Sequence, residues 1–158
     1  MYQEFYERIS RPFRAPGARR AIAAIDKTLV VVVAVTFLGI GVWLALHQDV
    51  RVVRYLAVCA VSFAALSALR AKLNRPRPYE AFDIDPLIRK ETRGKSFPSR
   101  HVFSAAMIAC ALLWLNTWLG IAGFIATAAL GVLRVIEGVH FPRDIVAGAL
   151  LGIACGIL

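Results

Sequence analysis

Two histidines, an aspartate and a group of arginines recur at spacings suited to chemistry on a phosphate. His140 and Asp144 lie in Arg134-Val-Ile-Glu-Gly-Val-His140-Phe-Pro-Arg-Asp144, and a carboxylate four residues after an imidazole is close enough to orient the ring. His101 ends a second segment, Ser96-Phe97-Pro98-Ser99-Arg100-His101, directly ahead of a long apolar run, where the free N–H groups of a helix start attract anions. A third segment, Arg70-Ala-Lys-Leu-Asn-Arg-Pro-Arg77-Pro78, gathers the cations Arg70, Lys72, Arg75 and Arg77, and guanidinium forks bind phosphate oxygens in pairs. Each segment alone also has a plainer reading. Ser99 suits a helix cap, His101 an interfacial histidine, Asp144 a favourable charge at a helix N-terminus, and the cations the basic flank of a membrane span.

The elements that must hold these residues are membrane helices. Hydrophobic residues make up 59% of the 158-residue chain and the mean hydropathy is +0.65, above the roughly 45–50% apolar content of a soluble domain. Residues 28–46 carry no charge for 19 positions, enough to cross a hydrocarbon core of about 30 Å. Residues 55–69 form a second, shorter run bounded by Arg54 and Arg70, whose stems can snorkel. Residues 102–133 are uncharged throughout, too long for one crossing, and Asn116, Thr117, Trp118 and Gly120 mark a turn that divides them. Residues 142–158 begin at Pro142, a favoured first helical position. The expectation is an all-α bundle of about five transmembrane helices over residues 28–158. The fifth run ends near the far interface, as if a few residues of a natural C-terminus lay beyond Leu158.

Residues 1–27 read as a separate basic interfacial segment. Tyr2, Phe5, Tyr6, Ile9 and Phe13 recur at helical spacing among Arg8, Arg11, Arg14, Arg19, Arg20 and Lys27, a pattern that lies in the membrane plane; the alternative is a disordered basic tail. Pro12, Pro16 and Gly17 interrupt any secretory signal, so no cleavage is expected.

Counting spans brings the three polar segments to one membrane face. The opposite face holds mainly His47, Asp49, Arg51 and Arg54. The net charge of +9 lies outside the apolar runs, which leaves no basic helix face for nucleic acid and points to headgroups and a phosphorylated substrate. With the N-terminal segment on the same side, all basic residues except Arg51 and Arg54 share the face of the polar segments, and the positive-inside rule predicts that this face is cytoplasmic. Cys59, Cys110 and Cys155 sit singly in apolar runs and read as small buried hydrophobes. Glu80, Asp83 and Asp85 lack the partners a Mg²⁺ site needs, and there is no Cys/His set for zinc, so no metal is expected.

Taken together and in this order, the segments resemble the signature of the type 2 phosphatidic acid phosphatase family, which includes lipid phosphate phosphatases and the related vanadium haloperoxidases. That signature is Lys-x6-Arg-Pro, Pro-Ser-Gly-His and Ser-Arg-x5-His-x3-Asp; here it reads Arg70-x6-Arg77-Pro78, Pro98-Ser99-Arg100-His101 and Leu133-Arg134-x5-His140-x3-Asp144. Arg70 replaces a lysine, Arg100 a glycine and Leu133 a serine, and the family usually has six spans. The resemblance implies that His140 attacks phosphorus to give a phosphohistidine. By the same resemblance Asp144 orients His140, and His101 protonates the leaving lipid oxygen. Arg70, Arg77, Arg134 and Ser99 would then neutralise the phosphate oxygens, with no cofactor. Arg100 either holds a second phosphate or snorkels to headgroups. The implied substrate is a lipid phosphate, with a polyprenyl diphosphate, phosphatidylglycerol phosphate and phosphatidic acid in the family's range, in a bacterial plasma membrane. Bacterial members more often act on the outer face, in tension with the charge bias. A haloperoxidase is disfavoured by the membrane bundle; a non-catalytic lipid-phosphate binding or transport protein is the rival from another class. The oligomeric state stays open.

Overall fold

The apolar runs become long helices packed around one of their number. A computed structural model describes residues 1–158. Helix α1 (Tyr2–Ser10) leads through a 3-10 turn (Arg11–Phe13) into α2 (Pro16–Leu46), followed by α3 (Arg51–Leu73), the single turn α4 (Pro78–Ala81), α5 (Arg100–Leu115), α6 (Thr117–Ile136) and α7 (Pro142–Gly156). Helices α2, α3 and α6 are long and apolar enough to cross a membrane, whereas α5 is apolar but only 16 residues long. The expected apolar runs fall on α2, α3, α5, α6 and α7, and the chain is an all-helical, multi-pass membrane protein.

Helix α5 forms the centre, with Val102 through Ala111 buried almost without a break. It packs most extensively against α6 and α7. Outward-facing Val35, Leu38, Val42, Ile125, Val132 and Leu150 are all more than half exposed, an apolar exterior that suits lipid rather than water. Packing of α7 on α5 depends on small residues. A Cβ on Gly148 would lie 2.6 Å from the Ser99 carbonyl oxygen, and one on Gly152 would collide with that of Phe103, so the backbones touch as in other small-residue membrane contacts. This approach sets the start of α7 beside the start of α5.

Helix ends follow local chemistry. Asn116 breaks the long apolar run and caps α6, its Oδ1 accepting from the N–H groups of Trp118 and Leu119 at 2.9 and 3.1 Å. Helix α3 stops at Asn74, which is left-handed at φ 38°. The N-terminal boundary differs from the expectation, because Pro16 starts a 31-residue helix that runs unbroken through Lys27. At about 1.5 Å per residue it reaches roughly 46 Å, well past the hydrocarbon core. Charged residues ended the apolar run at Lys27 but did not end the helix, because its first turns lie beyond the apolar layer. The aromatic spacing in α1 marks a real helix, and it docks on the polar end of the bundle. Tyr6 is fully buried, donating to the Ile136 carbonyl at 3.2 Å and accepting from the Leu87 N–H at 3.0 Å. Phe5 remains exposed.

Candidate active site

Helices α3, α5 and α7 converge with two loops, residues 74–99 and 137–141, at one end of the bundle. Their meeting point is Asp144, in the first turn of α7 and fully buried. Its Oδ2 accepts from the Phe141 N–H at 3.1 Å and from the Ser96 hydroxyl at 2.5 Å, and lies 3.5 Å from His140 Nδ1. The carboxylate thus caps α7 and orients the imidazole at once. The Ser99 N–H donates to the Asp144 carbonyl at 2.9 Å, tying the start of α5 to the same turn.

His140 is 2% exposed. Burial, the largest influence, lowers its pKa to about 4; the Asp144 carboxylate raises it, and the Arg77 and Arg70 cations add to the lowering. The ring is therefore neutral at ordinary pH. With Nδ1 facing Asp144, Nε2 carries the free lone pair, the state a nucleophile requires.

The cationic residues do different jobs. The buried Arg70 guanidinium donates through Nη1 to the carbonyls of Ser96 (3.3 Å) and Pro98, and through Nη2 to that of Lys95. It pins the loop that carries Ser96 and Ser99, and keeps its Nε and one Nη2 hydrogen uncommitted. Arg77 donates Nε to the Gly94 carbonyl at 3.2 Å and Nη1 to the Val139 carbonyl at 3.3 Å, which leaves Nη2 available. Arg134 lies 3.1 Å from Asp26 and 3.7 Å from Glu137 through Nε and Nη1. Ser99 precedes α5, and its buried hydroxyl has no partner. With the free N–H groups of the first turn of α5 it offers donors of the kind that attract an anion.

His101, in the first turn of α5, is half-buried. With Arg100 it closes the polar end of a cavity of about 620 Å³ between α2, α3 and α5, lined further by Val33, Phe37, Cys59, Phe63 and Met107 among others. Arg100 lies over the Phe63 ring, 5.4 Å from its centroid. The fold thus brings Arg70, Arg77, Ser99, Arg100, His101, Arg134, His140 and Asp144 to one end of the bundle. Sequence reasoning missed Ser96, Asp26 and Glu137. Ser96 lay in plain view two residues before Pro98, and an acid such as Asp26 at the edge of an apolar run signals a buried partner.

The family model described as PAP2 superfamily matches residues 51–158. Undecaprenyl-diphosphatase BcrC of Bacillus subtilis is 27% identical over 129 residues, 80% of this chain and 66% of that protein. The crystal structure of Aquifex aeolicus LpxE matches with a TM-score of 0.77 at 25% identity, covering 98% of this chain and 91% of that one. The first transmembrane PAP2 type phosphatidylglycerolphosphate phosphatase from Bacillus subtilis matches in fold, with a TM-score of 0.69, 23% identity and coverage of 99% and 83%. Matches to curated relatives span 34–66% of their length.

Proposed function

The chain belongs to the PAP2 superfamily, and from that premise we propose that it is a membrane phosphatase that hydrolyses a lipid phosphomonoester or diphosphate through a phosphohistidine on His140. One observation carries the reading: the buried, carboxylate-held His140 shares its end of the bundle with an apolar cavity that terminates on His101 and Arg100. A cavity of that size and lining suits part of a lipid chain.

In the proposed route the His140 Nε2 lone pair forms a bond to phosphorus as the bond to the leaving oxygen breaks, and His101 gives that oxygen its proton. Water then attacks the phosphohistidine, returning its proton to His101 and releasing phosphate. Arg77, Arg134, the Ser99 hydroxyl and the N–H groups of α5 offset the charge on the equatorial oxygens. Arg70 acts at closer range on the loop than on the substrate, and its charge adds to the same field. The imidazole and the cationic cradle supply each step without a metal or cofactor.

For the substrate we favour a polyprenyl diphosphate or phosphatidylglycerol phosphate, supported by the names of the relatives and the shape of the cavity. Phosphate release from undecaprenyl diphosphate, undecaprenyl phosphate, phosphatidylglycerol phosphate and phosphatidic acid, measured in proteoliposomes, tests the reading. Binding without release on every lipid would favour a non-catalytic carrier instead. The charge bias supports a cytoplasmic site. Exposed Ala81, at the end of α4, changed to Cys after removal of the native cysteines, should resist a membrane-impermeant thiol reagent in intact cells; ready labelling would place the site outside.

A further inference from the structure

Behind the phosphate corner lies a buried charge cluster that none of the three signature segments requires in full. Arg134 is 3% exposed, Asp26 8% and Glu137 0%. Asp26 comes from α2, outside the residues matched by the family model. Its Oδ1 lies 3.1 Å from Arg134 Nε, and Glu137 Oε2 lies 3.7 Å from Nη1. Asp26 Oδ1, Arg134 Nε and both Glu137 carboxylate oxygens make no well-aligned hydrogen bond. Two buried acids, Arg134 and the loop residue Lys90 share this cluster, and burying so many charges is costly unless each finds good partners.

We propose that Asp26 and Glu137 are positioning residues for Arg134: Asp26 aims its guanidinium at the substrate phosphate, and Glu137 occupies Nη1 loosely until the phosphate takes its place. The inference rests on the phosphatase reading. An arginine already fixed by two bidentate carboxylates would have little to offer a third anion. Here the acids are close enough to hold the cation without desolvated isolation, yet leave its donors unsatisfied. Phosphate oxygens supply the acceptors those donors lack.

The charges facing Glu137 are Asp26 from α2, Lys90 from the loop before α5 and Arg134 at the end of its own helix. Burial and then Asp26 push its pKa up to about 7, with Arg134 and Lys90 working the other way. An arriving phosphate dianion repels the ionised form, so binding favours the protonated acid. As pH rises through about 7 the ionised carboxylate competes with phosphate for Arg134, and phosphate binding weakens.

The test uses the full-length protein in detergent, with orthophosphate affinity by calorimetry and steady-state hydrolysis of the best lipid substrate. Asp26→Asn should lower kcat/KM and weaken orthophosphate binding by about 10- to 100-fold, the scale expected when a reacting group is misplaced, and Asp26→Glu should recover part of the loss. In an Arg134→Gln background Asp26→Asn should have no further effect on orthophosphate affinity, since the two act as a unit. Glu137→Gln should flatten the loss of affinity above pH 7. An unchanged Asp26→Asn protein, an equal loss in both backgrounds, or the same pH profile in Glu137→Gln would each overturn the proposal. Where Asp26→Asn fails to elute as a monodisperse species, Asp26→Glu and Glu137→Gln decide. Wild-type protein that binds orthophosphate but hydrolyses no lipid would instead overturn the phosphatase reading.

Discussion

The two histidines of the site differ in what holds them. His140 is buried and neutral, its Nδ1 facing a carboxylate that is itself fixed by a hydroxyl and a backbone N–H. His101 is half-buried, and its ring borders an apolar cavity. A nucleophile gains from being held in one geometry, because the bond it forms has a single direction. A general acid must follow a leaving group that varies with the lipid, so a looser seat suits it. The contrast fits the proposed roles, His140 as nucleophile and His101 as acid.

Changes on the rigid side should cost most. His140→Ala should abolish phosphate release, a loss of about four or more orders of magnitude, as when other covalent nucleophiles are removed. Asp144→Asn keeps the shape but weakens the hold on the ring, and turnover should fall by about 10²- to 10⁴-fold. A smaller effect than that of Ser96→Ala would show that the carboxylate does not orient His140. Both are read from the same phosphate-release assay.

Much of this rigid side was legible in the sequence. The His140 to Asp144 spacing, the proline at the start of α7 and the break at Asn116 are local signals, and the structure places them accordingly. What escaped was pairing across distance. Asp26, just ahead of the first uncharged run, meets Arg134 only because α2 and α6 cross. Ser96 has no role that local spacing could show, since its partner Asp144 is remote in the chain. Arg70 matched a phosphate-binding position, while its carbonyl partners depend on the path of a loop that no periodicity describes.

On the looser side the effects should depend on substrate. His101→Ala should slow poorly leaving lipid alcohols by about 10²- to 10⁴-fold, and good leaving groups such as an aryl phosphate distinctly less. Equal losses on both would deny His101 the role of acid. The smallest change is expected at Arg100, which borders the cavity beside His101. Arg100→Gly should reduce hydrolysis of a diphosphate lipid several-fold while sparing its monophosphate, if the guanidinium leaves Phe63 for a second phosphate. An equal effect on both lipids would leave Arg100 as a headgroup anchor.

The central claim, that phosphate passes through His140, is tested most directly by trapping the intermediate. Substrate labelled with ³²P in the transferred phosphate, mixed with wild-type protein and quenched in alkali within a single turnover, should leave label on the chain in an acid-labile form. The His140→Ala protein should carry none. Label that persists on His140→Ala, or wild-type protein that releases phosphate in a single turnover with none ever bound, would contradict the account.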